Sequence, residues 1–473
     1  MGATQFDHAG LPEATSPART DFRQLERVVG VEASVAKLSP EDRARILNQS
    51  LAHFRNPSGA DLIKRTERFN AFIQSRAEFG LWPYARALER ANGPLTTVSD
   101  ISAATREGIN FAAQDYLGLS RHSRVVDAGI EAMRQFGAHS AGSAVLLGNT
   151  KLSLELEQRV AELLGLEHVT LYPTGWAAGY GAIAAFVRPR DHVVMDYLCH
   201  ACLQQGAASA TPQIHHFIHN DAEDLTARLQ SIRAKDARNG IMVITEGVFA
   251  MESDAPDLAA FQEACGTYGA TLLVDVAHDL GAMGPGGGGM IAAQGLAGKI
   301  DLVMGSFAKT FASNGGFLAS HSPAAKQFAK YYGNPHMFSN AVSPVQAAVA
   351  SEAIRIVRSD EGERLRAHLF ERVNALRDGF AAEGILALGT PSPVVLVPVG
   401  NDKLANLATR RIAESGVFVN LVEYPAVPVD HARLSLQVMA THEAPQIAEA
   451  IARILRARRL AEEDLKLWRA SAP

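Results

Sequence analysis

Met304-Gly305-Ser306-Phe307-Ala308-Lys309-Thr310-Phe311-Ala312-Ser313-Asn314-Gly315-Gly316-Phe317 is the stretch on which the reading of the chain turns. The apolar run 300–304 reads as a buried strand. It delivers one lysine, Lys309, between a small polar residue and a glycine-rich exit. Lysine is rarely buried without a partner or a task. At the end of a core strand it can lose its proton through desolvation, and a neutral amine can form a Schiff base. Taken alone, the stretch also fits a surface lysine in a loop.

Outward from it, short apolar runs alternate with helical patterns. The strand candidates are 168–172, 192–195, 214–217, 241–245, 271–274 and 302–304, with 316–320 as a return strand. Such alternation predicts a mostly parallel sheet covered by helices on both faces. Ligands of such sheets sit at the carboxyl ends of the strands. The strand 271–274 ends in Asp275, followed by Val276-Ala277-His278. Its neighbour, by alternation, ends at Lys309. A lysine for an aldehyde and an aspartate for a ring nitrogen are the pair that pyridoxal phosphate needs. An aspartate there can also be a metal ligand or a structural cap.

The turn Thr174-Gly175-Trp176-Ala177-Ala178-Gly179 follows strand 168–172 and opens a helix. Free amides at a helix N-terminus bind phosphate, and Ser306 can add a hydroxyl. The same turn also fits an ordinary strand-to-helix connection. His200, just after strand 192–195, can lie flat on an aromatic ring or be a satisfied core histidine. Arg433 can grip a carboxylate with two parallel bonds or form a surface salt bridge. The glycine run 286–289 reads as a flexible excursion rather than a phosphate cradle.

At the N-terminus, residues 1–20 read as a loose arm. Ser39-Pro40-Glu41-Asp42 has the cap, proline and acids of a helix start, with Ile46, Leu47, Leu51 and Phe54 as its stripe. A second helix is expected to carry Leu62, Ile63, Thr66, Phe69, Phe72 and Ile73 on one side. Beyond Ser343-Pro344 a long helical stretch runs to Glu383, then strands 393–399 and 418–422, a strand-like run with Arg433, and a helix from Ala444. The expected organisation is a helical extension (1–78), a joining segment (79–120), a large sheet domain (121–345) and a small α/β domain (346–473).

With 473 residues, 47% of them hydrophobic and 20% charged, the chain reads as folded and globular. A net charge of -5 gives no reason to expect nucleic acid as a partner. No apolar run suffices for a bilayer, and the first twenty residues lack the apolar segment of a secretory signal. Cys199, Cys202 and Cys265 fit a reducing cytoplasm, and the single C-x-x-C has no second pair to complete a metal site. The Arg456-Ala457-Arg458-Arg459 cluster reads as a solvated helix face, or as a docking patch for an acidic carrier protein.

In this order and spacing, the stretches resemble the α-oxoamine synthases, a pyridoxal-phosphate family. The specific pieces are Asp115-Tyr116-Leu117-Gly118-Leu119, Thr245-Glu246-Gly247-Val248-Phe249-Ala250-Met251, Asp275 with His278, 305–316, and Glu423-Tyr424-Pro425-Ala426-Val427-Pro428. The resemblance implies a fold-type-I architecture and a homodimer with shared active sites. It implies that Lys309 holds the cofactor, Asp275 pairs with its ring nitrogen, His200 stacks on the ring and His278 bonds the ring hydroxyl. Gly175, Trp176 and Ser306 would hold the phosphate, and Ser339 would reach the partner subunit's phosphate. Glu246 joins the cofactor set. Arg433 would take the substrate carboxylate, and Gln114 is a second substrate position, where many members have asparagine. Ala308, Ala144 and Ser153 also depart from the family pattern. The reaction implied is a decarboxylating condensation of an amino acid with an acyl thioester, on CoA or an acyl carrier protein. Transamination, cleavage of an amino-keto acid, or a non-catalytic supporting subunit are the rivals.

Overall fold

A computed structural model describes residues 46–470. The expected helix start at residues 39–42 lies outside them. Three strands come first: β1 (Ala87–Leu88), β2 (Leu95–Ser99) and β3 (Thr105–Asn110). Seven more build the main sheet: β4 (His168–Tyr172), β5 (His192–Asp196), β6 (Ile214–Phe217), β7 (Ile241–Glu246), β8 (Thr271–Asp275), β9 (Leu302–Ser306) and β10 (Gly316–Ser320). Their order is β4-β10-β9-β8-β7-β5-β6. From β9 to β6 every pairing is parallel, and β10 runs antiparallel to both β4 and β9. All the strand candidates of this region therefore form one sheet.

The sheet is buried on both faces, which is why its strands read as continuous apolar runs. Side chains alternate between two cores. Val194, Val243, Leu272, Val274 and Val303 join one core. Val193, Met195, Met242, Ile244, Leu273 and Met304 join the other. Each fully buried Val, Leu or Ile contributes about 1.5–3 kcal/mol.

The last four strands are β11 (Val394–Gly400), β12 (Val417–Phe418), β13 (Asn420–Val422) and β14 (Ala432–Gln437). The expected single strand 418–422 is two. β12 pairs in parallel with β3, and β13 pairs with β14. Gly416, at φ 76, sets up this parting, and a Cβ on Gly108 would lie 2.2 Å from the Gly416 carbonyl oxygen. The helical stretch after Ser343 is also two elements, Pro344–Val357 and Asp360–Ala382. Ser359 takes an extended conformation between them, and Asp360, Glu361 and Glu363 load the new first turn with acids.

The N-terminal helix runs from Glu67 to Glu78. Leu62 and Ile63 precede it, 67% and 82% exposed, so its apolar stripe is shorter than expected. Its Arg76 is buried and explains the docking. The guanidinium donates to Asn406 Oδ1 at 2.7 Å and to the Gln49 carbonyl at 2.8 Å, and lies 3.6 Å from Glu423. The helix is thus joined to Asn406 and Glu423 by one buried guanidinium, and loss of one side of the ion pair leaves an unpaired buried charge.

Candidate active site

The parallel strands bring their carboxyl ends to one edge. Glu246 of β7 is in register with Asp275 of β8, and Asp275 with Met304 of β9. Three residues after β9 ends, Lys309 enters a turn. The Phe307 amide donates to Gly315 O at 3.0 Å, and the Ser313 amide to Phe307 O at 3.1 Å. Phe307, Thr310 and Phe311 are buried around the turn and fix it. Phe307 packs on Phe311 and Phe317, with ring centroids 6.0 and 5.5 Å apart. Lys309 lines a cleft of about 430 Å³ with Gln114, Asp115, Ser313 and Gln346.

Burial pushes the Lys309 amine below its ordinary pKa, and Asp275 and then Glu246 hold it up. Burial raises Asp275, with Lys309 the strongest opposing influence. Burial also raises Glu246 well above the carboxylate range, and neighbouring Asp275 adds to it. One amine cannot neutralise two desolvated carboxylates. The arrangement favours an ionised Asp275 beside Lys309 and a protonated Glu246. Glu246 Oε1 accepts the His200 amide at 2.5 Å, so its place is beside the histidine backbone. Asp275 Oδ1 accepts the Ala277 amide at 2.9 Å. Among the described residues its other oxygen has no hydrogen-bond donor, which leaves it for a ligand.

Gly175 and Trp176 head the helix Gly175–Phe186, where amides lack intrahelical acceptors. Thr174 caps the helix by accepting the Ala177 amide at 3.0 Å. A Cβ on Gly175 would lie 2.4 Å from Ser306 Cβ and 2.5 Å from its Oγ. The Ser306 hydroxyl therefore lies against the head of this helix, and only glycine leaves room there.

His200 caps the helix Ala201–Ala210. Its Nδ1 accepts the Cys202 amide at 3.3 Å and touches Cys202 Sγ at 3.0 Å. Burial lowers its pKa, with Asp275 opposing and Lys309 adding to the fall. The ring is thus a neutral imidazole able to stack. His278, buried at the turn after β8, is pushed well below its ordinary pKa by burial, then by Lys309 and His200.

Two predicted residues stand apart. Arg433 is buried on β14, but its Nη1 donates to Met251 O at 2.7 Å and to Glu252 at 2.8 Å. Its guanidinium is already engaged. Ser339 lies in the loop after residue 337, next to Asn340, which bridges to Ser143. No hydrogen bond ties Ser339 to the Lys309 cluster among the described residues. The glycine run is not a loose excursion. Gly287 and Gly289 have positive φ, Gly287 to Gly289 are buried, and a Cβ on Gly289 would lie 2.4 Å from Asp279 Oδ2.

Sequence reasoning missed Tyr116, Gln437 and Glu252, and also a histidine clamp beside the site. His219 Nδ1 meets Asp196 at 2.9 Å and its Nε2 meets Asp254 at 3.0 Å. Burial works against its charge, but the two carboxylates outweigh it and raise its pKa to about 10. Because this lies above the ordinary 6.5, the stabilisation is complete below 6.5 and is lost as pH rises through 10. His219→Gln should cost ~3 kcal/mol near pH 6, by leaving two carboxylates unpaired. Urea titrations at mildly acidic and at strongly alkaline pH check this: the gap between the two proteins should shrink in alkali.

A hollow of about 470 Å³ opens at the opposite edge of the sheet, beside Asp191, Lys299 and His321. There Asp191 is taken by the Gly240 amide and His321 by the Gly298 carbonyl.

Asp275 ends β8, and Lys309 follows the neighbouring parallel strand β9. The aminotransferase class I and II family matches residues 106–454, and the chain belongs to it. A serine palmitoyltransferase of Sphingobacterium spiritivorum is 30% identical over 405 residues, covering 86% of this chain and 98% of that protein. An 8-amino-7-oxononanoate synthase of Klebsiella pneumoniae is 35% identical over 348 residues, covering 72% and 88%. A solved serine palmitoyltransferase from Sphingomonas wittichii superposes with a TM-score of 0.79 at 27% identity, covering 85% of this chain and 99% of that one. A high-resolution SPT structure containing PLP superposes equally well, at 28% identity. Within the family, the chain is an α-oxoamine synthase with a fold-type-I architecture.

Proposed function

We propose that this chain uses pyridoxal phosphate to condense an amino acid with an acyl thioester. The products are an α-amino ketone, carbon dioxide and a free thiol, as in a serine palmitoyltransferase-like reaction. The observation that carries the reading is the placement of Asp275 at the tip of β8 and of Lys309 in the turn after the neighbouring parallel strand β9. The residues present fit the cofactor: an open cup of amides and a hydroxyl for a phosphate, a carboxylate with one free oxygen for a protonated ring nitrogen, and a desolvated amine.

When bound, the cofactor supplies an aldehyde for amines and a ring that withdraws electrons. Lys309 would provide the amine that anchors it and a base for the α-proton of the amino acid. Asp275 would pair with the ring nitrogen. His200 would pack on the ring, and His278 would bond the ring oxygen. Gly175, Trp176 and Ser306 would hold the phosphate. Glu246 braces His200. Gln114 lies in the cleft, where the amino acid enters. Arg433 reaches a substrate carboxylate only by giving up Glu252. A Gly175→Ala variant should bind the cofactor at least about tenfold more weakly, since its methyl fills the cup; equilibrium dialysis reads the difference.

The reading extends to a homodimer. Leu146 and Leu147 are 83% and 88% exposed, and Phe338 is 77% exposed. They flank the Ser143–Asn340 bridge, close to Ser339. A second copy would cover them and bring Ser339 to its partner's phosphate. No helix among the described residues is long and apolar enough to cross a membrane. Three free cysteines accord with a cytoplasmic setting.

The test is release of carboxyl-labelled carbon dioxide from a panel of amino acids, with and without acyl thioesters of several lengths. The condensation requires the thioester. Release without it, or keto-acid formation, favours another fold-type-I reaction.

A further inference from the structure

The cleft at Lys309 has room for a substrate. It holds about 430 Å³, and among the described residues none of Asp275, His200, Gly175 and Ser306 lines it. The groups that fit the cofactor therefore leave this volume free. Its lining is uneven. Asn92, Gln114 and Gln346 bring amides, while Val345 and Val349 bring branched apolar side chains. Asp115, the one acid in the lining, is already taken by the Ser120 hydroxyl and amide.

Val345 and Val349 lie one turn apart on the helix Pro344–Val357 and share a face. Both are half-buried, whereas Ala347, Ala348 and Ala350 of the same helix are packed away. The helix is tied to the lysine turn, because the Ser313 hydroxyl donates to Gln346 O at 2.9 Å. Behind the valines lies Gly129 of the helix Ser123–Phe136. A Cβ there would stand 3.1 Å from Val349 Cγ2 and 3.6 Å from Val345 Cγ1. The valines thus have a neighbouring helix close against them and no space to retreat into. A β-branched side chain on a helix also keeps one strongly preferred rotamer. The apolar wall is stiff, and its position is fixed from behind.

We infer that Val345 and Val349 set the length of the acyl chain that the protein accepts, with Gly129 the positioning residue that keeps them in place. The inference rests on the proposed condensation, which brings an apolar chain to Lys309 on a thioester. The amides of the lining suit the amino acid and the thioester. A run of methylenes gains only where it meets apolar surface, about fourfold in affinity for each methylene buried. A wall that cannot move ends that gain at a definite chain length.

The test is calorimetric binding of saturated acyl-CoA esters, from butyryl to icosanoyl, to the cofactor-loaded chain without amino acid. The wild type should gain about fourfold per added methylene up to a limiting length and nothing beyond it. Val349→Phe should move that limit to shorter chains, and Val349→Ala to longer ones. Val349→Thr keeps the shape but puts a hydroxyl in the wall, so it should flatten the gain without moving the limit. Gly129→Ala presses Val349 toward the cleft from behind and should shorten the limit too, which a purely structural glycine would not do. The same series on N-acetylcysteamine should give the same limits, because the valines meet the chain and not the group that carries it. Cofactor absorbance on each sample tells a misfolded variant from a reshaped cleft. If Val349→Phe fails to fold, Val349→Ala and Gly129→Ala decide the matter. A wild type without a limit, or with one that these variants leave in place, overturns this inference alone. A wild type that binds no acyl ester overturns the condensation reading along with it.

Discussion

Lys309→Ala should yield a folded protein without the visible absorbance of a lysine-bound cofactor, and with condensation reduced about 10⁴-fold or more, because anchor and base are lost together. The fold should survive. Phe307 and Phe311 hold the turn through their own packing. Without the amine, Asp275 loses the strongest influence holding its pKa down and takes up a proton, which limits the cost of the missing charge. Absorbance spectroscopy and circular dichroism on the same sample separate loss of the site from loss of structure. Added primary amines should restore part of the activity, because the cup and Asp275 remain. A variant that keeps the band removes Lys309 from its role.

Asp275→Asn should have the second largest effect. The amide matches the carboxylate in size and can still accept the Ala277 amide, but it cannot hold a proton on a ring nitrogen. Turnover should fall about 10²–10³-fold, the usual loss when one aimed electrostatic partner is removed. Cofactor binding should weaken less, by about 1.5–3 kcal/mol, because the phosphate cup is intact. Stability should respond in the opposite sense. Asp275 is raised by burial, so its folded pKa exceeds its unfolded value, and the protein without cofactor loses stability as pH rises through that range. The variant lacks this titration, and its denaturation midpoint should depend less on pH. A rate within tenfold of the wild type would show that the ring nitrogen is protonated by some other group.

The strands of the main sheet were legible because each is buried on both faces, which prints an unbroken apolar run. Lys309 and Asp275 were legible because a charged residue ending such a run is conspicuous. What stayed hidden depends on partners far apart in the chain. Glu252 meets Arg433 across 181 residues, and Tyr116 meets His278 across 162. No periodicity records such meetings. Arg433 looked free because the acid that engages it lies in a loop after β7. The parting of β12 from β13 turns on which edge each finds, and residues 417–422 share one apolar pattern. The Asp360–Ala382 helix start was visible in Ser359-Asp360-Glu361, but the apolar pattern on either side of it concealed the break. The Arg76–Glu423 pair likewise joins two segments that look like separate exposed charges.

The central claim is that one lysine carries the cofactor. Borohydride reduction of the cofactor-loaded protein, followed by proteolysis and mass analysis, tests it most directly. The account predicts one pyridoxyl group, on the peptide containing Lys309. A group on any other lysine, or none on a protein that still condenses its substrates, would contradict it.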